Sequence, residues 1–182
     1  MIVLLKQMVL TAVAGMLWSA PAVAQATQAQ MKAAADTARL KLAPLTWMVG
    51  EWSGPASGSN GGQTFSLTQQ ETVVLAANGT VLMIRGQGLI GGKAVFQAAG
   101  LVAYDMGSRQ FKWVSSGGTG YLGTSDAEVK GDTLVWYLVG AGGSRTRYTL
   151  WKSAQGEWRE IGEVSRDNQS WTRTFEMTLV TK

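Results

Sequence analysis

From Trp47 to the C-terminus the chain alternates apolar and polar residues, and clusters of Gly, Asn, Asp and Pro interrupt the alternation at short intervals. Alternation of this kind predicts β-strands with one buried face. The interruptions fall at Pro55 to Gly62, Ala77 to Thr80, Ile90 to Lys93, Asp105 to Arg109, Ser116 to Gly120, Lys130 to Asp132, Gly140 to Ser144, Ala154 to Gly156 and Asp167 to Ser170. Nine turns separate ten strands, and connections this short make successive strands antiparallel neighbours. The expected fold is all-β: a roughly ten-stranded antiparallel meander that closes into a barrel and so removes its exposed edges.

Loop length sets register, and register sets which side chains share a face. A five-residue loop at Gly140 to Ser144 places Leu134, Trp136 and Leu138 opposite Leu150, Tyr148 and Thr146. A three-residue loop at Ala154 to Gly156 continues that face through Glu160, Gly162 and Val164. For the last hairpin, a three-residue loop would set Glu160 against Glu176, like charge against like. A four-residue loop, Asp167 to Ser170, sets Glu160 against Met177, Gly162 against Phe175 and Val164 against Arg173, and buries more. The expected inner wall is thus apolar and aromatic, with Glu160 and Arg173 as charged intruders and Gly162 leaving room for a ring.

Earlier strands are less constrained. Val73, Leu75, Leu82 and Ile84 share one face, and Val74, Val81, Met83 and Arg85 the other. Phe111 and Trp113 are expected to point inward. Ala94 to Tyr104 is apolar on both sides and calls for an external cover.

Gln25 to Pro44 reads differently. Met31, Ala35, Ala38 and Leu42 recur at helical spacing, Lys32 and Asp36 form an i,i+4 pair, and Pro44 ends the run. The pattern predicts a helical leader over residues 25–44, lying over the barrel mouth or outer wall. Between it and the strands, Leu45 to Gly54 (LTWMVGEWSG) carries Trp47, Trp52, Gly50 and Gly54, a plausible closing piece for the barrel spanning 45–182.

Met1 to Ala24 has Lys6 near its start, an apolar run around Met8 to Trp18 and an Ala22-Val23-Ala24 ending, the layout of a secretory signal. The run is too short for a membrane span. The expectation is a periplasmic or secreted protein with no membrane span in its mature chain, beginning near Gln25.

Composition narrows the chemistry. The chain has 16 basic and 12 acidic residues without a basic run, so a nucleic-acid partner is not expected. It has no Cys and no His, which excludes disulfides, a Ser–His nucleophile pair and most zinc sites. No cofactor and no metal are expected. Gly86-Gln87-Gly88 and the Gly117 to Gly120 run lack the strand-to-helix context of a phosphate loop, and Asp126, Glu128 and Asp132 lack the loop of an EF-hand.

Gly50-Glu51-Trp52, preceded by an apolar turn and followed by a meander, resembles the G-x-W opening of the calycin superfamily. Ten strands make the chain more similar to fatty-acid-binding and nitrobindin-like barrels than to eight-stranded lipocalins. Tyr104-Asp105 and the Trp-rich end at Trp158 and Trp171 resemble a bacterial exported lipocalin-like family of unknown function. The resemblance implies a barrel that binds small molecules. Nitrobindin-like barrels hold haem iron through histidine, and this chain has none. Calycins also tend to lay a basic side chain from the final strand over the opening Trp, and Arg173 and Lys182 are the rivals for that place.

The reading these residues support is a barrel that binds or carries a small lipophilic or amphipathic ligand. Trp136, Tyr148, Glu160, Phe175 and Met177 are its expected contacts, and Arg173 and Arg85 can pair a ligand carboxylate. Two alternatives stand: an enzyme using a desolvated Glu160 as acid/base, and a filled barrel serving as an envelope interaction protein.

Overall fold

The computed structural model describes residues 27–182 apart from Thr119 and the side chain of Ala141. The expected signal segment, residues 1–24, lies outside the described residues. After helix α1 (Gln28–Leu42) and a 3-10 segment (Ala43–Met48) come ten strands: β1 (Gly50–Asn60), β2 (Gln63–Ala76), β3 (Val81–Ile90), β4 (Lys93–Asp105), β5 (Gln110–Ser116), β6 (Gly123–Lys130), β7 (Thr133–Val139), β8 (Arg145–Lys152), β9 (Trp158–Ser165) and β10 (Thr172–Thr181). Each strand pairs antiparallel with its sequence neighbour, and β1 pairs with β10 to close the barrel. The expected all-β meander is therefore the fold.

Turn chemistry accounts for the meander. Gly61-Gly62 and Gly91-Gly92 have positive φ at both positions, the geometry that hairpins demand and glycine supplies without strain. Asp167 ties down the β9–β10 loop by accepting hydrogen bonds from the backbone N–H groups of Ser170 (2.8 Å) and Gln169 (2.9 Å) and from the Ser165 hydroxyl (2.9 Å). These bonds favour its charged form and hold its carboxyl far below the ordinary carboxylate range.

One expected turn is shorter than the composition implied. Pro55 to Gly62 reads as loop, but β1 runs through Pro55 to Asn60. Pro55 is exposed, and its neighbour Gly54 lies so close to β10 that a Cβ there would come within 2.0 Å of the Thr178 carbonyl oxygen. The Gly/Pro/Ser composition reflects close strand contact at the closing seam.

Helix α1 opens with a capping box. The Gln30 N–H donates to the Thr27 hydroxyl (3.3 Å), and the Thr27 N–H donates to the Gln30 side chain (2.7 Å). The leader closes one end of the barrel. Arg39 donates to the carbonyl of Asn78 in the β2–β3 turn (3.0 Å), and the Trp47 indole N–H donates to the carbonyl of Asp132 in the β6–β7 turn (3.0 Å). Lys41 sits over the ring of Tyr104, 5.6 Å from its centroid, beside the β4–β5 turn. Leu42, Leu45 and Met48 are fully buried in the core, and each contributes roughly 1.5–3 kcal/mol of apolar burial. Trp47, Trp52 and Trp158 meet edge to face there, with centroids 5.7 to 6.0 Å apart.

The leader does not cover the outer wall of β4. Val95 there is 57% exposed, as are the outward Met83 of β3 (47%) and Val74 of β2 (48%). Part of the outward apolar side of Ala94 to Tyr104 is therefore left exposed; of α1 itself only Ala38 and Leu42 are buried, Leu42 in the core at the barrel end.

Candidate functional site

The inward rows form in the expected register across the last strands. Leu134, Trp136 and Leu138 pair with Leu150, Tyr148 and Thr146. Leu150, Tyr148 and Thr146 pair with Glu160, Gly162 and Val164. Glu160 and Gly162 pair with Met177 and Phe175. Trp136, Tyr148, Glu160, Phe175 and Met177 are thus brought together on the inner wall.

The rings form a continuous column. Trp113 stacks on Trp136 (centroids 4.1 Å, planes 11° apart), Trp136 stacks on Tyr148 (4.3 Å, 12°), and Tyr148 meets Phe175 edge-on (6.3 Å, 64°). Gly162 makes the last contact possible. A Cβ there would lie 2.9 Å from Tyr148 Cε1 and 3.0 Å from Phe175 Cβ, closer than real Cβ contacts allow. Trp113 anchors the other end of the column by donating its indole N–H to the Ser115 hydroxyl (2.8 Å).

Beside this column lie two acids. Glu160 is 8% exposed and Glu71, from β2, 9%. Glu71 Oε1 accepts a hydrogen bond from Gln69 Nε2 at 2.7 Å, whereas its Oε2 is buried without a partner. Gly86 opposite gives this carboxylate its place, since a Cβ at that position would come within 2.6 Å of Oε1. Burial raises the Glu71 pKa to about 7, with the Gln69 hydrogen bond pulling the other way. Burial, reinforced by the charge of Glu71, raises that of Glu160 to about 8. The Trp158 indole N–H lies alongside and offsets part of this rise, although it makes no aligned hydrogen bond to any acceptor. The Trp136 indole N–H is likewise buried and unpartnered. Burial and then the charge of Glu160 push the Tyr148 hydroxyl up to about 12, so it remains protonated and neutral.

Glu71 is the residue that strand-by-strand reading misses. Its signal was present: it stands two positions before Val73 and therefore on the same face. Its meeting with Glu160 runs through β1 and β10, where the inward positions Gly54 and Ala56 are small. That closure is invisible to loop-length arguments.

Two expected contacts lie elsewhere. Arg173 does not share a rung with Val164. A bulge between Arg173 and Phe175 pairs Thr172 with Val164 and sets Arg173 against Glu163 on the outer face. One extra residue in β10 turns the guanidinium to solvent, where it pairs with Glu176 at 3.4 Å, and avoids burying an unpaired charge. Arg85 also points outward, in a row with Thr72 and Ala99. It lines a groove on the outer wall of about 560 Å³ together with Gln70, Gln87, Gln97 and Lys182. Neither arginine reaches the ring column. The rings packed on Trp52 are Trp47 and Trp158, and its indole N–H donates to the Met48 carbonyl (2.8 Å). Arg173 is held by Glu176 on the outer face, while the Lys182 backbone N–H donates to the Glu51 carbonyl (3.0 Å).

The barrel end away from α1 is open at the level of its inner wall. Phe96, inward in register with Gly88, is 45% exposed, and Tyr148 and Phe175 are partly accessible. Among the described residues no group of His, Cys, Asp and Glu is arranged to hold a metal ion.

No protein-family model matches the chain, and no curated protein does. Solved structures do. Rv2717c from M. tuberculosis is 14% identical with a TM-score of 0.57, over 78% of this chain and 96% of that one. The S-type phycobiliprotein lyase CPES from Guillardia theta is 11% identical with a TM-score of 0.55, over 83% of this chain and 96% of that one. At these identities the likeness is one of fold: the chain shares a closed lipocalin-like barrel with both.

Proposed function

We propose that this protein is a small-molecule-binding barrel that admits a ligand with an aromatic or other apolar body through its open end. One observation carries the reading. A row of inward rings across neighbouring strands, partly accessible at the open end, lies beside two buried acids and the unpartnered Glu71 Oε2, Trp136 Nε1 and Trp158 Nε1. A wall of apolar surface with a few convergent polar groups and raised carboxyl pKa values is the usual make-up of a ligand site. The ring column supplies apolar contact at roughly 25 cal/mol per Å² buried. The acids supply orientation. Likeness in fold to a phycobiliprotein lyase fits this reading without naming a ligand for this chain.

The test is titration with the neutral dye Nile red. Saturable binding with blue-shifted emission is expected, lost in Gly162→Leu and retained in Arg85→Ala, with folding of each checked by circular dichroism. Absence of saturable binding, or full binding by a folded Gly162→Leu protein, overturns the proposal.

A second reading rests on the titration of Glu160 near neutrality, which suits a general acid/base. It requires Glu160→Gln to abolish turnover of a substrate while leaving binding in place. In either reading the chain is exported, with residues 1–24 removed. Mass spectrometry of protein recovered from its native host, showing a mature N-terminus near Gln25, is the check; an intact Met1 to Ala24 rules export by this signal out.

A further inference from the structure

We infer that the ligand class is an organic cation: an aromatic or apolar body lying against Tyr148 and Phe175, with a protonated amine held between Glu71 and Glu160. This rests on the reading of the barrel interior as a binding site and names what that site selects.

The first ground is the sign of the interior. The inward rows of β1 to β10 present Glu71, Glu160 and Tyr148 as ionisable groups around the ring column, with Tyr104 and the exposed Lys152 at the end that α1 covers. The cations nearest in register stand outside: Arg85 on β3, Arg147 on β8 paired with Glu163 (2.7 Å), Arg159 on β9 near Glu157 (3.5 Å) and Arg173 on β10. Among the described residues, a ligand carboxylate entering here would therefore meet two acids and no counter-charge, and an unpaired buried charge is strongly disfavoured. An ammonium meets the opposite.

The second ground is the unmatched acceptor. Gln69 occupies Glu71 Oε1 and leaves Oε2 buried without a donor. An ammonium brings three donors on one atom, enough for this oxygen and for Glu160. Tyr148 and Phe175, the rings of the row that stay partly accessible, add aromatic contact with an organic cation once water is excluded. The unpartnered Trp136 indole N–H adds a preference for a hydrogen-bond acceptor somewhere on the ligand body.

The third ground is charge balance. With no ligand, burial favours the protonated acids at neutral pH. A cation arriving between them replaces protons, which leave to solvent, so binding is linked to pH. Affinity rises as pH increases through the range where the pair ionises and levels off above it.

Three indoles of one shape separate the possibilities: tryptamine, which carries an ammonium; tryptophol, with a neutral hydroxyl; and indolylacetate, with a carboxylate. Each is titrated against the full chain by calorimetry and by displacement of Nile red. Tryptamine is expected to bind roughly tenfold or more tighter than tryptophol at pH 8, and roughly five- to tenfold tighter at pH 7 than at pH 6. Tryptophol affinity stays flat with pH, and indolylacetate binds weakest. The tryptamine enthalpy varies with the buffer, reporting proton release. Glu71→Gln and Glu160→Gln lose the preference for tryptamine, whereas the outward variant Arg85→Ala keeps it. Should tryptophol match tryptamine at pH 8, or Glu71→Gln and Glu160→Gln both retain the preference, the cation assignment is overturned. Nile red bound without any tryptamine preference sinks this inference alone. Failure of Nile red and all three indoles sinks the binding site with it.

Discussion

The two ends of the barrel are built to opposite rules. At the end that α1 covers, Leu42, Leu45 and Met48 have no exposed surface, three tryptophans lock edge to face, and side-chain hydrogen bonds tie the leader to two separate turns. At the other end Phe96 is half open, the β5–β6 loop carries Tyr121 and Leu122 at 83% and 68% exposure, and Val139 at the end of β7 is 77% exposed. Packing that excludes water stabilises the fold, while the apolar surface left accessible at the opposite rim is where the proposed ligand would enter. Stability and access are thus separated along the barrel axis, and substitutions at the two ends should sort accordingly.

The largest effect is expected at the covered end. Trp158→Ala removes a ring that is 2% exposed and packed on two others, at a cost of about 3–5 kcal/mol. Urea unfolding measures it. A loss under about 1 kcal/mol would mean that the three-tryptophan knot does not anchor the fold.

The acids midway along the axis should give an intermediate effect of defined sign. Their folded pKa values, about 7 and about 8, stand above the ordinary 4.5. Between those values the folded chain holds more protons than the unfolded one, so stability is fully present below pH 4.5 and falls as pH rises through the folded values. The slope is at most about 1.4 kcal/mol per pH unit for each acid. Glu160→Gln should flatten this dependence, changing stability little in acid and raising it in mild alkali. A wild-type stability that climbs steadily from pH 5 to pH 8 would contradict roughly the whole electrostatic picture.

The smallest effect belongs to the outer wall. Arg173→Ala removes an exposed ion pair with Glu176 and should change stability by less than about 0.5 kcal/mol and leave Nile red binding unaltered. Loss of dye binding in this variant would place the guanidinium in the site after all.

These contrasts also mark what was legible in the chain beforehand. Loop lengths and alternation placed Trp136, Tyr148, Glu160 and Phe175 on one wall, because each adjacent pairing follows from the one before. Two things escaped that logic. The bulge at Arg173 adds a residue that alternation cannot foresee, and it turned an expected inner charge outward. The Glu71–Glu160 pair depends on the meeting of the first and last strands, which no loop joins. Arg85 shows a third case: its neighbours Ile84 and Gly86 are buried, but with apolar residues on both faces of β3 only the closed sheet decides which side is inner.

The glycines of the inner wall carry a consequence for how such a protein can change. Gly86 and Gly162 are each already occupied by a neighbour, the carboxylate of Glu71 in one case and the ring of Tyr148 in the other. Hollows and pegs are matched in pairs, so a side chain added at either glycine displaces its partner. A descendant of this chain that gains a side chain at either glycine must trim the matching partner in the same step. Changes in the shape of the interior would then arise by paired exchanges, and among divergent copies they would read as linked positions directly opposite one another on adjacent strands.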